Sequence, residues 1–417
     1  MSKLCSGHSK MVYLLLIGLL SGVVSAQTQI DHPLTLPEVL QLARSRNPNL
    51  ASQALQLEAT RANEVTARLR ANPELSISKE DLSLSSLAQV DETFNVSRLF
   101  ERGNKRRYRI ESAGLATVVA KHTYDDFERQ LVLSIKQSFV ALLLAKANLQ
   151  LAEQNRQDYA KTIELSRIRF SAGEISRTEL DRIELQASRF ETDLLNAMQA
   201  MAQARTQLES LIGLDDFPGN FDIAGELTVP PLQVDRAKLQ EQALAARPDY
   251  LAALEQVHKS EADIKLADAN GATDVVAGAE YKRNGPDNFT GVTLGIPLRF
   301  FDRNQGEKLR TRKVLDASRA AERATRIQVL SDLNQALAAL DSAQRIAQLY
   351  NSDYLEKAKQ VQERVEFSYR HGATSLLDYI QALREYRDTE LAWRASIAQL
   401  LNAIHQLSFV TGTELLP

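Results

Sequence analysis

Cysteine is all but absent from the 417 residues. Cys5 is the only one, which excludes a disulfide framework and a cysteine-built zinc site. Aromatic side chains amount to 6% and the net charge is −3, so the basic, stacking-rich surface that holds nucleic acid is missing. P-loop, G-x-S-x-G, H-E-x-x-H and dinucleotide motifs are missing too, and no enzymatic activity or bound cofactor is expected. The histidines beyond the first segment (His32, His122, His258, His371 and His405) contain no His-x3-His pair. Only His122 with Asp125 and Asp126 has ligand-like helical spacing, whereas zinc needs three or four converging donors. They read as surface residues.

Helix breakers are scarce in two long blocks. No proline lies between 74 and 217 or between 298 and 416. Within 104–212 the only glycines are Gly114 and Gly173, and within 307–411 the only one is Gly372. Both blocks are rich in Ala, Leu, Gln, Glu, Arg and Lys, so both are expected to be long helices. Residues 1–26 read as a secretory signal, with Lys3 and Lys10, an apolar run from Met11 to Leu20, and small residues at Val24-Ser25-Ala26. The longest later apolar stretch, Phe139 to Ala145, reads as one buried helix face. A spanning helix takes roughly 20 apolar residues, so membrane insertion would have to use strands.

The landmarks come twice. Gly173 and Gly372 each interrupt a helical block and lie 199 residues apart; Phe170 matches Tyr369, and Gln207-Leu208 matches Gln406-Leu407, at that same offset. Ala43 and Pro48 match Ala243 and Pro248 at 200, and Phe100-Glu101-Arg102 matches Phe301-Asp302-Arg303 at 201. So steady an offset indicates internal duplication, with repeats at 27–213 and 235–417 and a linker at 214–234. In the second repeat Val275, Ala277, Ala279 and Tyr281 alternate with Val276, Gly278, Glu280 and Lys282. A turn follows at 283–288, and then Val292, Leu294, Ile296 and Leu298 alternate with Thr293, Gly295 and Pro297. Period-two alternation predicts strands at about 273–283 and 290–299, and more faintly at about 73–81 and 92–99.

Strands of this length match those of membrane barrels, which start at about eight strands. Four cannot close, so two or three chains would have to pool theirs under cyclic symmetry. The long helices at 105–171 and 307–370 would reach about 100 Å. An opening helix at 36–69 and a return helix at 176–212, stacked end to end, would reach about 107 Å beside the first of them. Antiparallel helical hairpins would then hang from the strands, reversing at Gly173 and Gly372, where glycine permits positive φ and Ser176 and Ser375 can cap the return helices. A soluble helical bundle and a periplasmic adaptor with helical hairpins are the competing readings.

Residues 36–43 (LPEVLQLA) with 47–50 (NPNL), Phe170-x2-Gly173-x2-Ser176 and Tyr369-x2-Gly372-x2-Ser375 together resemble the TolC-type outer-membrane factors. Residues 299–306 (RFFDRNQG), and 101–105 (ERGNK) followed by Arg107 and Arg109, are similar to that family's heavy-metal branch, typified by CzcC. The resemblance implies a mainly α fold with a small β component. It implies a homotrimer, with a twelve-stranded barrel in the outer-membrane lipid of a Gram-negative cell and a helical tunnel in the periplasm. A periplasmic adaptor (membrane fusion) protein and an inner-membrane resistance-nodulation-division pump are the implied partners, and Co²⁺, Zn²⁺ or Cd²⁺ the implied cargo. Drug efflux and type I protein secretion are the alternative uses of such a duct. Adaptor docking would fall on the turns carrying Phe170, Gly173, Ser176, Tyr369, Gly372 and Ser375, and the periplasmic entrance would be narrowed by Tyr369 and Asp378. Glu179 stands opposite Asp378 at the repeat offset, and three symmetry copies of Asp378 would favour cations.

Overall fold

The computed structural model describes residues 32–80, 91–213, 221–229 and 235–415. The expected signal at 1–26, residues 81–90 between the first two strands, and part of the linker lie outside the described residues. The first repeat runs α1 (Leu36–Arg46), α2 (Pro48–Arg68), β1 (Glu74–Glu80), β2 (Asp91–Phe100), α3 (Lys105–Ser171) and α4 (Arg177–Ile212). The second runs α5 (Arg236–Ala246), α6 (Pro248–Asn270), β3 (Val275–Asn284), β4 (Asp287–Gly295), α7 (Gln305–Leu349), α8 (Leu355–Arg370) and α9 (Leu376–Thr411). The fold is mainly helical, with each hairpin of strands set between helices, as the duplication implied.

Three boundaries differ from the sequence reading, each for a local reason. The opening helix is not continuous over 36–69. Pro48 disfavours helical backbone at the residue before it, and Asn47 is extended at φ −63, ψ 117. Asn47 then caps both neighbours: its Oδ1 accepts from Leu50 N at 2.8 Å and its Nδ2 donates to the Leu211 carbonyl, at the end of α4, at 2.7 Å. Only α2 therefore stacks on α4, and their 21 and 36 residues span about 86 Å beside the about 100 Å of α3. Second, β4 begins earlier and ends earlier than expected. Gly285 (φ +57) and Pro286 form a two-residue hairpin turn, and pairing stops at Gly295 because Pro297 has no N–H to donate. Third, the second long helix contains one π-turn, Tyr350–Tyr354, between α7 and α8.

The strands form one antiparallel sheet in the order β1-β2-β3-β4, so the two repeats meet at the β2–β3 pairing. Among the described residues no strand pairs with the outer edges of β1 and β4. Where the sheet meets the helices, Lys105 is buried and donates to Asp274 Oδ2 at 2.7 Å and to the Ala272 carbonyl at 2.8 Å, while Asp274 Oδ1 accepts from Arg102 N at 2.9 Å. Removing one partner from so enclosed a pair costs roughly 3–5 kcal/mol. Midway down the helices the first repeat's core gathers Val39, Ala43, Ile135, Phe139, Leu142, Leu208 and Ile223, and a parallel bridge joins Leu34 to Ile223. The segment Phe139–Ala145 is the buried face of α3, mostly closed off from solvent inside the protomer.

The end-to-end joint of α4 on α2 leaves no space for a side chain at Gly213. Its φ is +82, and a Cβ would sit 2.5 Å from Pro48 Cδ and 2.9 Å from Asn47 Cα. Gly213→Ala is expected to destabilise the assembled protein by about 2 kcal/mol, part from left-handed backbone strain and part from overlap. Gly306→Ala, where a Cβ would meet nothing within 4 Å, should leave stability unchanged. The heat-dissociation midpoint of the purified protein reads the difference.

Candidate functional site

The two helix reversals are built alike. At the first, Glu174 N donates to the Arg169 carbonyl at 2.9 Å and Gly173 N to that of Phe170 at 3.0 Å. At the second, Ala373 N donates to the Ser368 carbonyl at 2.8 Å and Gly372 N to that of Tyr369 at 3.0 Å. This is the paired hydrogen bonding that ends a helix on a left-handed residue, with Gly173 at φ +78 and Gly372 at φ +71. A Cβ at either glycine would meet open space, so backbone conformation, not crowding, selects glycine. Ser176 Oγ then accepts from Glu179 N at 3.1 Å, and Ser375 Oγ from Asp378 N at 3.2 Å. Residues 171–174 and 370–373 are exposed, so the first turn presents Ser171, Ala172 and the Gly173 backbone beside Glu174, and the second presents the Gly372 backbone and Ala373 beside Arg370 and His371.

Phe170 and Tyr369 do not belong to that presented surface. Phe170 packs on a cluster of Tyr159, Ile175, Leu180, Ile183 and Phe190, which Leu376 and Leu383 of α9 also join. Tyr369 is 4% exposed and stacks on Tyr379, ring centroids 5.0 Å apart and planes 2° from parallel, with the Arg169 guanidinium 5.4 Å from its ring centroid. Thr162 Oγ1 lies 3.1 Å from Tyr379 Oη, and Tyr159 Oη donates to the Ile183 carbonyl at 3.0 Å. Burial pushes the Tyr159, Tyr369 and Tyr379 phenols above their ordinary range, so all three stay neutral. These side chains clamp the turns of both repeats into one tip. The sequence reading missed Tyr159, Thr162 and Tyr379 because their partners lie on other helices; their only local sign is an aromatic or hydroxyl residue on an apolar helix face.

Asp378 is exposed, and its carboxylate folds back over the start of α9. It accepts from Ser375 Oγ at 2.6 Å, from Ser375 N at 3.3 Å and from Thr374 Oγ1 at 3.3 Å. The Ser375 hydroxyl and backbone N–H hold its carboxyl below the usual carboxylate range, so it is charged at neutral pH. Glu179, its counterpart, lacks the reciprocal bond. Of the histidine cluster, His122 Nδ1 is 3.9 Å from Asp125, whose carboxylate binds Lys121 at 2.8 Å, while Asp126 binds Arg129 and Gln130. Among the described residues no three His, Cys, Asp or Glu side chains converge on one point, and His405, expected at the surface, is instead buried on the packed face of α9.

The other candidate surface is the sheet. Its register sorts the residues by face: Leu75, Val96, Ala279 and Val292 form one cross-strand row, and Ile77, Phe94, Tyr281 and Thr290 the next. The opposite face carries the rows Ser76, Asn95, Glu280, Gly291 and Ser97, Gly278, Thr293. Nothing covers the apolar rows: Ile77 is 63% exposed and Val292 90%. Apolar outside and polar inside is the arrangement of a strand wall between lipid and water. The exceptions are Phe289, Leu99 and Val276 on the polar face and, near the Gly285-Pro286 turn, the polar row Lys79, Glu92, Arg283, Asn288 on the outer face. Val292→Lys, on the outer face, should cost about 2–4 kcal/mol and abolish heat-modifiable oligomers on gels. Thr293→Lys, one residue on and facing inward, should leave them intact.

The description "outer membrane efflux protein" belongs to the family whose model matches residues 39–214 and 239–413, one match per repeat. The chain is 25% identical over 382 residues to the cobalt-zinc-cadmium resistance protein CzcC of Cupriavidus metallidurans, covering 91% of this chain and 90% of that one. It is 23% identical to nodulation protein T of Rhizobium leguminosarum bv. trifolii, covering 94% and 88%. Its fold is similar to that of the CmeC outer membrane channel of Campylobacter jejuni (TM-score 0.79, 14% identity, 90% and 85% covered). It is also similar to the outer membrane protein VceC of Vibrio cholerae (TM-score 0.75, 17% identity, 91% and 97% covered). The protein thus belongs to the outer membrane efflux protein family, the TolC-like, non-enzymatic channels of the Gram-negative outer membrane that serve as trimeric exit ducts of tripartite efflux systems.

Proposed function

We propose that this channel is the exit duct for heavy-metal cations, Co²⁺, Zn²⁺ or Cd²⁺, delivered by a resistance-nodulation-division pump in the inner membrane through a periplasmic adaptor. The observation that carries this reading is the similarity to a cobalt-zinc-cadmium resistance protein, which runs through both repeats and 91% of the chain. In this reading the adaptor grips the exposed turns at Gly173 and Gly372, where small residues allow close backbone approach, while Ser176 and Ser375 hold the return helices in place. Phe170 and Tyr369 act from beneath, fixing the shape of the docking surface. The narrowing of the entrance falls to Asp378 alone, since Tyr369 is enclosed within the protomer. Three ionised copies of Asp378 around the axis would concentrate negative potential and favour cations.

The duct itself selects little: the metal is cargo, and tight ligation along the way would slow its release. Deleting the gene in its host should sensitise cells to Co²⁺, Zn²⁺ or Cd²⁺ and leave sensitivity to organic antimicrobials unchanged. Restoring the gene as Gly372→Trp should give normal trimers but no resistance. Sensitisation to organic compounds without any change toward metals would contradict the metal reading, and full resistance with the Trp variant would contradict docking at this turn.

A further inference from the structure

The helix-side rim of the sheet carries a feature that a plain lipid-facing wall does not need. On the outer face Arg98 shares a cross-strand row with Ala277 and Leu294, so its guanidinium base lies level with apolar residues. It sits 5.6 Å from the centroid of the Phe100 ring, and Phe100 lies on the same face two residues on. Past β4 the chain continues Ile296, Leu298, Phe300 and Phe301, all exposed, with Phe301 at 93%. Arg299 and Arg303 interleave with them, and Arg102 follows Phe100. Among the described residues none of Arg98, Arg102, Arg299 and Arg303 lies within ion-pair distance of a carboxylate. Of the nearby acids, Glu101 pairs with Arg109, Asp268 with Lys308 and Asp274 with Lys105, while Asp302 accepts from Asn304 N and Asp274 also feels the Arg299 charge. Exposed phenylalanines beside four arginines without a direct ion pair, at the level where strands give way to helices, form an interfacial belt with a positive charge excess.

We infer that this rim is a binding site for anionic phospholipid of the periplasmic leaflet. The arginines would take the headgroup phosphates as bidentate or bridging donors, and Phe100, Phe300 and Phe301 would lie among the upper acyl chains. The leaflet follows from the fold, because the helices leave the sheet on the periplasmic side. The turns that set the arginines are fixed ones: Gly103 (φ +72) and Asn304 (φ +63) are left-handed, Asn304 Nδ2 donates to the Ala267 carbonyl at 2.8 Å, and Arg299 donates to the Asn270 carbonyl. Such a site would favour phosphatidylglycerol, with its net negative headgroup, over zwitterionic phosphatidylethanolamine, and would fix the height of the barrel in the membrane.

The inference rests on the sheet being a barrel wall, and heat-modifiable trimers report on that assumption separately. The test is native mass spectrometry of the purified trimer loaded with an equimolar mixture of phosphatidylglycerol and phosphatidylethanolamine. The wild-type trimer should retain phosphatidylglycerol preferentially, and each of Arg98→Gln, Arg299→Gln and Arg303→Gln should cut that preference about fivefold while trimers persist. Phe300→Ala with Phe301→Ala should weaken both lipids alike. Equal retention of the two lipids by the wild type would overturn the inference, as would an unchanged preference in the triple arginine variant. Loss of the preference on adding inorganic phosphate would also overturn it, by showing a free-anion site in place of a lipid site.

Discussion

Backbone hydrogen bonding at the outer edges of β1 and β4 governs the rest of the structure. Inside the protomer the sheet is complete: β2 pairs with β1 on one side and β3 on the other, and β3 pairs with β4. Among the described residues its two flanks have no partner strand. In water an open edge is tolerable, but Val292, Leu294, Leu75 and Ile77 on the edge strands face outward into hydrocarbon, where each unpaired N–H or C=O costs several kcal/mol. Three copies supply twelve strands and remove every edge. The family's trimeric assembly is therefore a consequence of hydrogen-bond accounting in a solvent without water.

Closing the sheet also arranges the helices. Each strand leads within a few residues into a helix, and the Lys105–Asp274 pair and the left-handed Gly103, Asn104 and Asn304 fix those exits. A ring of strands thus imposes a ring of helices, held together at mid-height by the Leu34–Ile223 bridge and its surrounding core. The far end is fixed by a different device. Tyr159 stacks on Phe190 within the first reversal and Tyr369 on Tyr379 within the second, while Arg169 over Tyr369 and Thr162 beside Tyr379 join the two into one tip with both glycine turns exposed. The strand wall and the tip are thereby separated by about 100 Å of α3.

Much of this was legible in the residues because the governing rules are local. Missing prolines and glycines mark the long helices, period-two alternation marks the strands, and a steady offset marks the duplication. Serines three residues past Gly173 and Gly372 mark the caps. What escaped depends on distance along the chain. That Asn47 caps the end of α4 through the Leu211 carbonyl cannot be read from either segment alone, and without it the opening helix reads as continuous. Tyr369 reads as an entrance residue from its place beside Gly372, yet packing by α3 and α9 encloses it. Asp378 reads as an entrance acid from its place after the turn, and its carboxylate folds back to accept from Ser375 in the capping box of α9. The π-turn at 350–354 carries no proline, glycine or other local sequence mark.

The account stands most directly on pairing between β4 of one protomer and β1 of the next. Because Cys5 is the only cysteine, cysteines placed on these edges report cleanly on that contact. Ser76→Cys combined in turn with Gly291→Cys, Thr293→Cys and Gly295→Cys should, on oxidation in outer membranes, give covalent trimers from at least one pair. Monomers alone from all three pairs, with the protein folded and in the membrane, would contradict it.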